Sequence, residues 1–384
     1  MVQGKVNFLG VAAGLLVSAA VIAATGCGKK KADVDAGIAV IPDADLVVMT
    51  DMAAMREAPI YKRLEAFGEE QEKLNASNPQ ADKMKKLGEE LKNITGLKDE
   101  DFQIFVLSAA LEGLDPDAKG YAEIADKLNG VMAVGIAKPV TLDQLEEAAK
   151  KATEENEEVE VETSRRDYKG NQILVLTNSK EDKKAPIAVA TAADGKVIVI
   201  GSMLGAKGAL DRAESGDINA ASQALGLGKD QQPQMAVRFD LTEAMQKEMQ
   251  QQKPQTQPGN PMAGAAAAFK GLEQVKAYVT MGKNMDVLLA MAVGSEDDAK
   301  AAKNVLDNQV IGMIRMGMSM LAGGQPMPLL ESLKTATDPT GTVKFSFSFS
   351  PSDIGLIQKA MKKQQTPPTS AEGDMPEGIM PQSQ

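Results

Sequence analysis

The chain has 384 residues, with 42 Lys and Arg against 53 Asp and Glu, and so a net charge of −11. An acidic balance without a basic, aromatic-studded stripe excludes most nucleic-acid binders, which neutralise phosphates with Lys and Arg. Histidine is absent and the single cysteine is Cys27, which removes Ser-His-Asp and Cys-His catalysis, histidine-held zinc or haem, and internal disulfides.

In chain order, the first feature is a continuous apolar run over residues 8–24, preceded by Lys5 alone among charged residues. It is shorter than the ~20 residues that span a bilayer comfortably. A basic start, an apolar middle and small residues before a break are the marks of a secretory signal. Ala24-Thr25-Gly26-Cys27 resembles the lipobox of bacterial lipoproteins, although Ala24 stands where that family usually has Leu. The resemblance implies cleavage after residue 26 and acylation of Cys27. It also implies a place in the bacterial cell envelope, with Gly28 after the cysteine fitting the outer membrane, facing the periplasm or the surface. Several acyl chains bury many methylenes at ~0.8 kcal/mol each. Lys29, Lys30 and Lys31 would then sit among anionic headgroups, at ~1 kcal/mol apiece. The alternative is an ordinary cleaved signal with a cysteine nearby.

Residues 27–41 read as the lipidated tether. A strand is expected at 46–50, helix over 52–74 and 80–93, a strand at 102–111, a helix at 121–128 and a strand at 131–137. Thr141-Leu142-Asp143-Gln144 is a capping box that opens a helix to about residue 156. Strands at 159–168 and 172–178 flank Lys169-Gly170-Asn171, and strands at 187–191 and 196–200 flank Ala193-Asp194-Gly195; both are hairpin signals. Helices are expected at 204–213 and 218–227.

From 217 the pattern begins again. A strand at 235–239 and a helix at 241–250 lead to a Gln- and Pro-rich loop over 246–261. Helix 262–272, strands 275–281 and 287–293, and a Ser295-capped helix to 321 follow. Val343, Phe345, Phe347 and Phe349 alternate with Lys344, Ser346, Ser348 and Ser350, which marks a strand with one buried face. Ser350-Pro351-Ser352-Asp353 caps a last helix, and 364–384 reads as a disordered tail. The expected fold is α+β, in two tandem bodies at 42–216 and 217–363 of mainly antiparallel sheet with packed helices. Strand-then-Asp at Val47–Asp51 and Ala236–Asp240, and two strand-to-capped-helix units, make the bodies read as copies of one unit. The opening Pro42-Asp43-Ala44-Asp45 before a strand is similar to that of secreted bacterial proteins of unknown function, over about a dozen residues, and implies no activity.

Candidate sites each have a plain structural reading. Asp51 and Asp240 are helix caps, or a pair of ligand-facing carboxylates. Glu154, Glu155, Glu157, Glu158, Glu160 and Glu162 form a solvated acidic run, without the spacing of a calcium loop. In the Met-rich helix, Leu306, Val310, Met313, Ile314, Met316, Gly317, Met320 and Leu321 share one face at 100° per residue, opposite Asn304, Asn308, Arg315 and Ser319. That face is expected to be core, with an apolar ligand groove at Met313, Met316 and Met320, or a soft-metal site, as alternatives. Phosphate-loop, dinucleotide and nucleophile-elbow motifs are missing. No catalytic residue, metal ligand or cofactor is assigned. The sequence is read as a non-enzymatic, membrane-anchored binding or scaffold module for other envelope components. A carrier of lipid or another apolar ligand and a carboxylate-based hydrolase are the alternatives.

Overall fold

A computed structural model describes residues 36–41, 44–74, 92–110, 129–154, 161–178, 186–215, 224–227, 233–251, 269, 271–321 and 324–365. Cys27, the expected helices at 80–93 and 121–128, most of those at 218–227 and 262–272, the acidic run from 155 to 160 and the tail from 366 lie outside or largely outside these residues.

Twelve strands form one sheet in the order β11-β12-β10-β9-β8-β1-β2-β3-β7-β6-β5-β4. Every pairing is antiparallel, so the α+β expectation holds for the described residues. At its centre β1 (Leu46–Asp51) pairs with β8 (Met235–Asp240). On one side follow β2 (Phe102–Ala110), β3 (Asn129–Ile136), β7 (Val197–Gly201) and β6 (Ile187–Ala192), then the edge hairpin β5 (Asn171–Asn178) and β4 (Val161–Tyr168). On the other side stand β9 (Gln274–Met281), β10 (Met285–Ala292), β12 (Thr342–Phe349) and β11 (Lys334–Asp338). The order on the second side repeats that of the first, without the extra hairpin.

Alternation along each strand gives the sheet two faces, and helices cover one of them throughout. Over β8–β10, Met235, Val279 and Met281 pack against Met55 of α1 (Met52–Glu57), Ile60 and Tyr61 of α2 (Pro59–Leu74), and Ile354 of α9 (Pro351–Gln365). Pro59 explains the break between α1 and α2, because the residue before a proline is pushed out of helical geometry; Ala58 is extended there. Over β3, β5, β6 and β7, Ile136, Leu174, Val189 and Ile198 meet Leu145 of α3 (Leu142–Glu154). Thr141 and Gln144 form the expected reciprocal cap, with Gln144 N–H donating to Thr141 Oγ1 at 3.3 Å and Thr141 N–H to Gln144 Oε1 at 3.0 Å. Met245 of α5 (Glu243–Gln251) packs near the centre.

The opposite face is covered mainly over the first half. Val47, Val106, Val131, Ala190 and Val199 lie under Ala206, Ala209 and Leu210 of α4 (Met203–Ser215), Leu225, and Ile38, Ala39 and Val40. The short 38–40 stretch is held there by hydrogen bonds. Ser108 Oγ donates to the Ala39 carbonyl and accepts from Ile41 N–H at 2.9 Å, and Arg212 Nε donates to the Ile38 carbonyl at 2.7 Å. On β9 only Tyr278 meets this cover, packing against the cluster around Leu225, and over β10–β12 no described helix lies on this second face.

The long helix expected from Ser295 to 321 is present as α6 (Glu296–Val305) and α7 (Ile311–Leu321), joined by a π turn over Leu306–Val310. Its register is the main correction to the sequence reading. The π turn takes one residue more than an α-turn, about 100° of rotation, so all that follows is displaced around the axis. Leu306, Val310, Ile311 and Ile314 remain on the core with Val343 and Phe345. Met316 and Met320, expected beside Leu306 in the core, are instead 59% and 74% exposed.

Candidate functional site

The open half of the second face, over β9–β12, carries a groove among the described residues. Register places three cross-strand rows on it. Lys276, Ala290, Lys344 and Ala336 form the first, Tyr278, Leu288, Ser346 and Lys334 the second, and Thr280, Asp286 and Ser348 the third. Over the second and third rows lies an open groove of about 650 Å³, bounded by Pro233 and by Ser332. That volume falls within the range of small-ligand sites.

The walls are built from the local sequence. Tyr278 Oη donates to the Leu225 carbonyl at 3.1 Å, fixing the ring beside Leu288, and burial holds the phenol above its ordinary pKa. Arg238 ties the neighbouring chain by donating to the carbonyls of Ala224 at 2.5 Å and Ala44 at 2.8 Å, and it pairs with Asp240 at 2.8 Å. At the far wall, Ser332 ends α8 (Pro328–Ser332); its Oγ donates to the Ser348 carbonyl at 3.1 Å and accepts from Ser348 N–H at 2.8 Å. Lys344 pairs with Asp338 at 3.3 Å. The Thr340 hydroxyl, the Thr342 N–H and Lys344 draw the Asp338 carboxyl down to about 2. Among the described residues, neither Asp286 nor Lys334 has an ion-pair partner.

The positions singled out in the sequence lie elsewhere. Asp51 is a cap: its Oδ1 accepts from Ala54 N–H at 2.8 Å. Asp240 is not, for it receives Gln274 Nε2 at 2.6 Å and Arg238, while Thr242 Oγ1 accepts from Met245 N–H. The two stand at opposite ends of the β1–β8 pairing and share no ligand position. Of the acidic run, Glu154 ends α3 and Glu162 lies exposed on β4. Met313 is half-buried on α7, and Met316 and Met320 continue from it along the exposed side of that helix. The structure does not bring these three methionines to the groove. Among the described residues, no cluster of three acidic, His or Cys side chains could hold a metal, and no helix is long and apolar enough to cross a membrane.

Tyr278, Asp286, Leu288 and Lys334 were not identified from sequence. The usable signal was the alternation of Lys276, Tyr278 and Thr280 with apolar neighbours in β9, which marks a strand face left largely uncovered. The partner strand β11, Lys334-Thr335-Ala336-Thr337-Asp338, carries no apolar run that would mark it as a strand. Compared with known proteins, the chain matches no family model, no curated protein and no solved structure.

Proposed function

We propose that the chain is a lipid-anchored, non-enzymatic binding module of the bacterial envelope, whose working surface is the open sheet face over β9–β12. The observation that carries the binding surface is the open groove in which Asp286 and Lys334, without an ion-pair partner among the described residues, stand beside Leu288 and Tyr278. The anchor rests on the lipobox-like run ending at Cys27. The described structure adds a mechanical connection and corrects the end of the expected tether: within 27–41, Ile38, Ala39 and Val40 are buried and the 38–41 stretch is hydrogen-bonded to β2 and α4. A membrane-held tether would thus pull on the core and not on a loose end.

Two measurements test this reading. Intact-mass analysis of the membrane fraction of a lipoprotein-processing bacterium should show acylated Cys27, and Cys27→Ser should release the chain from the membrane. An unmodified wild-type chain in the soluble fraction would refute the anchor. Affinity capture from envelope extract with the body spanning 32–384, beside its Leu288→Glu variant, tests the surface. Partners lost in the variant support it, and an identical set with both proteins refutes it.

A second reading, a carrier of lipid or another apolar ligand, is favoured by one observation, the exposed Met316 and Met320 on α7. Thioethers adapt to variable apolar surfaces. Uptake of a fluorescent fatty acid, abolished by Met316→Gln with Met320→Gln, would favour the carrier; no uptake counts against it. We also read the two halves as copies of one unit. Its support is the shared order β1-β2-β3-β7-β6 and β8-β9-β10-β12-β11. Failure of those strand sets to superpose after rotation about the β1–β8 pairing would reject duplication.

A further inference from the structure

We propose that the groove over β9–β12 takes a short zwitterionic peptide, its ammonium end at Asp286, its carboxylate end at Lys334 and an apolar side chain between them on Leu288 and Tyr278. The proposal rests on the binding-surface reading above and gives that surface a ligand class.

The charges argue first. Asp286 and Lys334 are the two charged side chains lining the groove, and they have opposite sign. A simple anion would be met by Lys334 and repelled by Asp286, and a simple cation the reverse. A ligand with one charge of each sign satisfies both. Lys344, ion-paired with Asp338, stands one row from Lys334 and reinforces the anionic end less directly, whereas Lys276 lies three strands away from Lys334 on β9.

Spacing argues second. Asp286 on β10 and Lys334 on β11 are separated by β12 and by one step along the strands. Strands ~4.8 Å apart and a two-residue step of ~7 Å put their Cα atoms about 12 Å apart. An extended chain covers ~3.3–3.6 Å per residue, so about three residues span that gap.

The intervening groups fit a peptide in kind. Leu288 lies between the Tyr278 ring and Ser346 in the central row, a small apolar floor for one side chain. The hydroxyls of Thr280 and Ser346 lie on the same face to either side, and can donate to a peptide carbonyl or accept from its N–H.

The test uses the body spanning 32–384 and the tripeptide Ala-Leu-Ala, with its N-acetyl and C-amide forms, followed by calorimetry and by Tyr278 and Leu288 resonances. Free Ala-Leu-Ala should bind, and each blocked form should bind about two- to fivefold more weakly, because blocking one end removes one of two solvent-exposed ion pairs. In Asp286→Asn the N-acetyl penalty should vanish while the amide penalty persists. In Lys334→Gln the pattern should reverse. Unchanged melting temperatures would show that both surface variants are folded. Equal binding of the free and blocked peptides, retention of both penalties in both variants, or no binding at millimolar peptide would each overturn the proposal. Loss of captured partners in Leu288→Glu, with no tripeptide bound, would leave the binding surface standing and reject only its ligand class.

Discussion

Asp51 and Asp240 occupy related places at opposite ends of the β1–β8 pairing: the Asp51 N–H donates to the Gln234 carbonyl and the Asp240 N–H to the Asp45 carbonyl, each at 2.7 Å. The two bonds close the ladder between Leu46↔Phe239 and Thr50↔Met235. The halves of the chain therefore meet through a backbone ladder in the middle of one sheet, where Val47 and Ala236 are fully buried.

This seam makes each half dependent on the other. A chain ending at residue 216 would leave β1 as a long apolar edge, a template for pairing with another chain. We expect such a fragment to self-associate or aggregate when followed by size-exclusion chromatography with light scattering. A monomeric fragment with cooperative melting would contradict the prediction.

Ser108 is fully buried and joins two backbone groups of the 38–41 segment to β2. Ser108→Ala leaves the Ala39 carbonyl and the Ile41 N–H without this partner, at a cost of about 2–3 kcal/mol. A lowered melting temperature and faster amide exchange at Ile41 are the expected results. Unchanged exchange would show that burial alone holds the segment.

Gly195 closes the β6–β7 turn at a φ of +81°, after Ala193 and Asp194, which also have positive φ. A Cβ there would lie 2.6 Å from the Val140 carbonyl oxygen. Gly195→Ala combines a left-handed backbone, costing about 1–2 kcal/mol, with a clash against main chain. Gly170→Ala, at similar φ with open space around it, should cost the first part alone. Urea denaturation should rank Gly195→Ala below Gly170→Ala, and the reverse order would refute this account.

Glu146 links α3 to edge strand β4. Lys150, then Arg165 and the Thr163 hydroxyl, bond its carboxylate and hold its pKa at about 2, against an ordinary value of 4.5. A carboxyl depressed in the folded state contributes stability that is complete above its unfolded pKa and is lost as pH falls toward the folded one. The contribution should therefore fade from about pH 5 to about pH 2. Glu146→Gln should be less stable than wild type at pH 7, with the difference shrinking through that window. A pH-independent difference in denaturation midpoints would rule the carboxylate out as its source.

Exposure orders the methionines chemically. Met316 and Met320 are open to solvent, whereas Met55, Met235, Met281 and Met327 are buried. Mild peroxide should convert the first two to sulfoxides well before the other four, since oxidation follows access. Peptide mapping over time would check the order. Equal rates at Met316 and Met327 would show that α7 does not keep this register in solution.

The local parts of the fold were legible in the residues. Lys169-Gly170 and Ala193-Asp194-Gly195 turn where positive φ is required, Thr141 and Ser295 start helices through their own side chains, and the Val343 to Phe349 alternation marks a strand with one buried face. Each signal lies within a few neighbours of the feature it specifies. The β1–β8 seam, edge strand β11, the π turn that carries Met316 and Met320 outward, and the groove were decided only in three dimensions. Lys334-Thr335-Ala336-Thr337-Asp338 is a strand because β12 offers it a ladder, not because its own pattern demands one. The groove joins residues from Pro233 to Ser348, and only strand register can bring Asp286 and Lys334 onto one face, since that proximity comes from backbone hydrogen bonds between distant segments.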